Sequence, residues 1–145
     1  MSRSNNVHTK GSRLVKKLYC AATLSGITTN DLKGVIIFPD GWTGEPIKTI
    51  KYEAESGYDT NVLDADQWAM LEGLGCVFLP AAHVRNGTDV TYLKEGHYWT
   101  STSIAFGSEM RGGALEIYSS GNVVSGATNK CLRKFGQSVR LIREL

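Results

Sequence analysis

The chain carries three histidines, His8, His83 and His97, and three cysteines, Cys20, Cys76 and Cys131. These residue types supply general bases, nucleophiles and metal ligands, so their spacing is the first question. The cysteines lie far apart and no Cys-x-x-Cys pair exists, which removes the usual zinc and thioredoxin-like patterns; the odd count argues against a disulfide framework. Cys76 sits in an apolar run and reads as a small core residue. Cys131 follows Lys130 and precedes Arg133 and Lys134, basic neighbours that lower a thiol pKa, but no partner histidine is identifiable. His8 falls in a polar stretch. His83 follows Pro80-Ala81-Ala82, where it lines a cleft or serves structurally. The carboxylate pairs Glu53/Glu55 and Asp64/Asp66 fall in a loop and at a helix start. A glycosidase is defined by the distance between its two carboxylates, which sequence does not give, and Asp66 is accounted for by the helix dipole. No Gly-x-Ser-x-Gly, Walker loop, His-Glu-x-x-His or dinucleotide fingerprint is present. No catalytic residue, metal site or cofactor is expected.

The elements that would position these groups are short. Leu14 to Ala22 is apolar and fits helix or strand. Gly34 to Pro39 is a β-branched apolar run that reads as a buried strand ended by proline. Residues 43 to 62 read as a long loop. Asp64 to Gly73 is a helix, with Asp64 as N-cap, Gln67 as its capping-box partner and Gly73 and Gly75 at the stop. Trp68, Leu71 and Leu74 are spaced along one face. Cys76 to Pro80 is a second buried strand. Beyond Tyr92 only strands are expected: His97 to Thr102, Ala114 to Tyr118, Asn122 to Val124 and Ser138 to Ile142, with Ser120-Gly121-Asn122 as a hairpin turn. Asn86-Gly87-Thr88 fits a glycosylation sequon but reads as a turn, and Ala105-Phe106-Gly107-Ser108 reads as a loop. One helix followed by short strands is an α+β pattern.

Composition agrees. The 145 residues include 16 Gly and 3 Pro, with 41% hydrophobic and 21% charged residues and a net charge of +2. That length suits one domain, here residues 13 to 145 after a polar basic tail over 1 to 12. The apolar fraction excludes a disordered chain, and no apolar run reaches the 18 residues of a membrane helix. Leu14 to Cys20 is interrupted by Lys16 and Lys17, so no signal peptide is expected. Residues 1 to 30 hold five basic and no acidic residues, 31 to 110 hold 5 and 12, and 111 to 145 hold 6 and 2. The basic residues are scattered and not interleaved with aromatics, so no nucleic-acid partner is expected.

A set of ordered motifs carries a family resemblance. Asp66-Gln67-Trp68 leads into Gly75-Cys76-Val77-Phe78-Leu79-Pro80-Ala81-Ala82, then Arg85-Asn86-Gly87-Thr88, Gly96-His97-Tyr98-Trp99-Thr100-Ser101-Thr102, Ala114-Leu115 and Gly136-Gln137-Ser138-Val139-Arg140-Leu141. Over about residues 18 to 145 the chain resembles the Fibrobacter succinogenes major paralogous domain family of gut Bacteroidetes. The resemblance implies a C-type-lectin-like fold, related to variable proteins diversified by retroelements, and a cell-surface or phage-associated location. It implies a fixed scaffold with Trp68, Trp99, Gly136 and Arg140, and ligand-facing loops around residues 103 to 134. The ligand-binding positions it points to are Ile104, Phe106, Ser108, Glu109, Met110, Tyr118, Asn122, Asn129, Lys130 and Arg133. The calcium-lectin motifs and the cysteine pair of formylglycine-generating enzymes, which share the broad fold, are not found. The expected function is a non-enzymatic binding domain for a protein or glycan. The alternatives are a structural adhesin module, or a hydrolase or oxidase on the same fold. The oligomeric state is open.

Overall fold

The structure, a computed structural model, describes residues 19–43, 46–52, 57–91, 94–120, 123–124, 130–132 and 134–139. The fold is mixed α+β, with mostly antiparallel strands and, among the described residues, one α-helix. The described residues form two compact units: one runs to Pro80 and includes Ser119 and Ser120, and the other holds Ala81–Tyr118 and the described residues from Val123 onward.

In the first unit, β1 (Tyr19–Leu24), β2 (Leu32–Ile37), β3 (Val62–Leu63) and β4 (Val77–Pro80) form a sheet in the order β3-β1-β2-β4. The ambiguous run before Ala22 is therefore strand from Tyr19. Alternation puts Cys20, Ala22 and Leu24 on one face, where they join Ile36, Phe38, Trp42, Leu63, Leu71 and Phe78 in the core. The opposite face of β1 is covered too. Thr23 is 2% exposed, and its Oγ1 donates to the Tyr58 carbonyl at 3.2 Å, in a 3-10 turn over Tyr58–Thr60. The expected loop over 43 to 62 thus contains this turn, and ends at β3. Buried Asn61 clamps the same region. Its Nδ2 donates to the carbonyls of Ala21 and Lys51 at 2.8 and 2.9 Å, and its Oδ1 accepts from the Lys51 N–H at 2.8 Å. Gly34 is needed where β2 meets β4, because a Cβ there would lie 2.2 Å from the Leu79 carbonyl oxygen.

Helix α1 (Ala65–Gly73) starts as its sequence dictates: Asp64 Oδ1 accepts from the Gln67 N–H at 2.8 Å, and Gln67 Oε1 accepts from the Asp64 N–H at 3.1 Å. It ends in a Schellman arrangement. Gly75, at φ 88, donates to the Glu72 carbonyl, and Cys76 donates to that of Leu71. Leu71 is fully buried, and Trp68 packs edge-on against Phe78 at 5.9 Å. Leu74 is the correction on this face. It caps the helix with φ −92 and ψ 7 and is 47% exposed, because the chain has left helical geometry before its side chain reaches the core.

The second unit is built on two hairpins. Strands β5 (Val84–Asn86) and β6 (Asp89–Thr91) turn at Gly87-Thr88, and β7 (Gly96–Phe106) and β8 (Glu109–Ile117) turn at Gly107-Ser108. In each two-residue loop the first position is a glycine with positive φ, 64 and 61, the conformation such loops require. The β7–β8 hairpin is much longer than the strands expected from sequence. Ala105 and Phe106 are strand, not loop, and only Gly107 and Ser108 turn. Register passes from Trp99↔Ala114 to Ser103↔Gly112, so β7 advances four residues against two on β8, a bulge. Beside it the Trp99 ring lies against Gly112, where a Cβ would fall 2.4 Å from the indole. Strands β9 (Val123–Val124) and β10 (Lys130–Cys131) both pair with β8. The expected strand from Ser138 is reduced to a single bridge between Ser138 and Tyr98, and Val139, outside any strand, is 65% exposed; residues 140 to 142, the polar tail over 1 to 12 and Asn122 lie outside the described residues.

Candidate functional site

In the second unit, strand alternation gathers a polar cluster. Glu95 and His97 are two residues apart and project to one side; Glu116 and Tyr118 do the same on the facing chain. The register pairs His97 with Glu116, so all four side chains share a face. His97 is 6% exposed and Glu116 9%, levels at which charged or polar groups need partners. They have them. His97 Nε2 lies 3.2 Å from Glu95 Oε2, and its Nδ1 lies 3.6 Å from Glu116 Oε1. The Tyr118 hydroxyl donates to Glu116 Oε2 at 2.8 Å. The two carboxylates meet different nitrogens of one ring from different sides, and among the described residues no group of three or more His, Cys, Asp or Glu side chains is arranged to hold a metal ion.

These residues line a cavity of about 240 Å³, completed by Val84, Phe135 and Gln137. Gln137 is held in place by its neighbours. Gly136 exchanges backbone hydrogen bonds with Arg85 at 2.7 and 2.8 Å, and Ser138 donates to the His97 carbonyl while accepting from the Trp99 N–H. Both amide atoms of Gln137, Oε1 and Nε2, are buried and have no hydrogen-bond partner among the described residues. Leaving such a group unmet costs about 1–3 kcal/mol. His83 does not line this cavity. It sits at φ 61 and accepts from the Lys94 N–H at 3.2 Å through Nδ1, and Lys94 is itself at φ 72. These two left-handed residues fix the chain where it enters β7.

Apart from Tyr118, the described resemblance-derived positions fall elsewhere. Phe106 closes β7 and is 47% exposed, Ser108 is the exposed second turn residue, and Met110 on β8 is 52% exposed. Glu109 pairs with Phe106 across the strands, and Ile104 pairs with Arg111. Arg111, which the sequence reading did not single out, organises this tip. Its guanidinium lies 4.2 Å from the Phe106 ring centre, and its Nη2 bonds Glu109 Oε2 at 3.2 Å. Tyr118 belongs to the cluster at the other end of the hairpin, roughly 25–30 Å away at ~3.3 Å per strand residue. Lys130 is in β10, opposite Gly113. Asn122, Asn129, Arg133 and Arg140 lie outside the described residues. Of the expected scaffold positions, Trp68 is half-buried against the core, Trp99 half-buried over Gly112, and Gly136 bridged to Arg85, where a Cβ would sit 3.1 Å from the Arg85 Cβ. Glu95, Glu116 and Gln137 were not singled out from sequence as site residues. The available signal was the repeated acid-x-ring spacing of Glu95-x-His97 and Glu116-x-Tyr118, which becomes a site only once the strand register is known.

Two thiols sit apart from this, in the first unit. Burial pushes the Cys20 thiol up to about 12, with Cys76 adding to the effect, and pushes Cys76 up to about 11. Both are protonated, poorly nucleophilic core residues at neutral pH. Among the described residues no helix is long and apolar enough to cross a membrane. Comparison with family models, curated proteins and solved structures finds no match to the chain.

Proposed function

We propose that the chain is a non-enzymatic ligand-binding domain, with a C-type-lectin-like scaffold of the Fibrobacter succinogenes major paralogous type, that contacts a protein or glycan through the tip of the β7–β8 hairpin. The observation that carries this reading is the platform of Phe106, Arg111 and Glu109. A large aromatic ring stands in solvent, yet a cation over its face holds it in place and a carboxylate holds the cation. A ring fixed in this way loses little conformational freedom on binding, which is the property of aromatic and arginine anchors in recognition surfaces. Met110 is exposed on the opposite face of the tip and is not part of this platform. The mixed α+β arrangement, with mostly antiparallel strands and, among the described residues, one α-helix, is compatible with that scaffold. A cell-surface or phage-associated location and kinship to retroelement-diversified binders belong to the same proposal.

The test is a paired screen of the purified chain on a glycan array and against a displayed peptide library. The expected result is selective retention by at least one class of ligand, with competition by that ligand in solution. No selective retention in either screen would remove the reading in favour of a structural module.

A further inference from the structure

We propose that the cavity bounded by Glu95, His97, Glu116 and Gln137 is a second binding site, which takes a small organic cation: a guanidinium or primary ammonium group. It is distinct from the hairpin tip and does not depend on it.

Three observations converge. The first is the unmet carboxamide. Gln137 is fixed from both sides by backbone hydrogen bonds at Gly136 and Ser138, yet its own amide atoms are buried and find no hydrogen-bond partner among the described residues. Buried polar atoms in folded proteins are met by something; a cationic ligand would meet Oε1, and Nε2, itself a donor, would turn to water. The second is the sign of the walls. Two carboxylates, Glu95 and Glu116, stand on either side of the His97 ring, with side chains only 20% and 12% exposed. Together with Gln137 Oε1 they make the lining rich in acceptors, which favours a donor-rich ligand of positive charge over a neutral polyol. The third is size. At about 240 Å³ the cavity is smaller than the ~300–1,000 Å³ of a drug-sized pocket, and suits one head group. Val84 and Phe135 supply apolar wall beside it, which strengthens charge pairing inside.

The cation can belong to a free amine or to an arginine or lysine side chain on a partner, and one experiment separates them. Calorimetric titration of the full chain at fixed ionic strength uses methylguanidinium, propylammonium, a capped Gly-Arg-Gly peptide, and methylurea as the neutral isostere of methylguanidinium. The expected result is saturable binding of at least one cationic probe and none of methylurea. Tighter binding of the peptide than of methylguanidinium assigns the cation to a partner's side chain, and the reverse assigns it to a free amine. Gln137→Leu removes an amide that has no hydrogen-bond partner among the described residues, so it keeps the wild-type melting temperature or raises it, while cation affinity falls by about tenfold or more. Glu95→Gln, at the more exposed of the two carboxylates, is the second variant and produces a similar fall. Phe106→Ala leaves cation binding unchanged. Equal binding of methylurea, absence of saturable binding by every cation, or wild-type affinity in both pocket variants would each overturn the proposal.

Discussion

Tyr118→Phe tests whether the polar cluster is a preorganised unit. The change keeps the ring and its volume and deletes one oxygen, the donor to Glu116 Oε2 at 2.8 Å. A hydrogen bond to a charged acceptor contributes about 1.5–3 kcal/mol when buried. The Glu116 side chain is 12% exposed and Tyr118 is half-buried, so water recovers part of that loss and about 1–2 kcal/mol is expected. For a chain of this length that lowers the melting temperature by roughly 3–6 °C. The assay is a double-mutant cycle with Glu116→Gln, read by urea denaturation. Glu116→Gln removes the charge that Tyr118 serves, so the hydroxyl should matter less in that background, and a coupling of about 1 kcal/mol is expected. Additivity of the two changes within about 0.3 kcal/mol would show that the hydroxyl and carboxylate do not act together, and the account of the cluster would fail.

Three further expectations follow from packing and burial. Gly34→Ala places a Cβ 2.2 Å from the Leu79 carbonyl oxygen and 2.8 Å from the Pro80 Cα, backbone atoms that cannot rotate away, so β2 and β4 must part; the expected loss is about 3 kcal/mol or more, and a circular-dichroism melt matching the wild type would refute it. Asn61→Ala strips three hydrogen bonds from the Ala21 and Lys51 backbone and should cost about 2–4 kcal/mol by chemical denaturation, whereas a change below about 0.5 kcal/mol would mean that the clamp is replaceable. For the thiols the folded pKa is raised, from 9.0 to about 12 at Cys20 and about 11 at Cys76. Their contribution is therefore complete below about pH 9 and is lost as pH climbs through 11 to 12, because the unfolded chain ionises first. Alkaline unfolding of a Cys20→Ala, Cys76→Ala variant should be shallower over that window, and thiol reagent at pH 8 should label these two residues only on unfolding.

What could be seen in the sequence was what local chemistry decides. Helix α1 was legible at both ends, because Asp64, Gln67 and Gly75 act within one turn of themselves. The buried strands β2 and β4 were legible as apolar runs. The outer half of the β7–β8 hairpin was not. Thr100 to Ser103 and Ala105 to Phe106 are exposed on both faces, so no alternation of apolar and polar residues marks them as strand, and Phe106 read as loop. Leu74 matched the helical spacing but fell one residue past the helix end. The cavity was beyond a single-sequence reading for a different reason. Glu95, His97, Glu116 and Tyr118 meet through a cross-strand register that depends on a two-residue turn at Gly107 and a bulge after Trp99. Gln137 joins them only through bridges to Arg85 and Tyr98.

The central claim is that ligand recognition runs through the hairpin tip. The direct measurement compares the wild type with Phe106→Ala on the same glycan array and displayed peptide library, alongside a melt of each protein. Phe106 is about half exposed, so its loss should leave the melting temperature within about 2 °C. The account predicts that the ligands retained by the wild type lose tenfold or more in affinity for the variant, the scale of an anchor residue. An unchanged binding profile from a variant with an unchanged melt would contradict it.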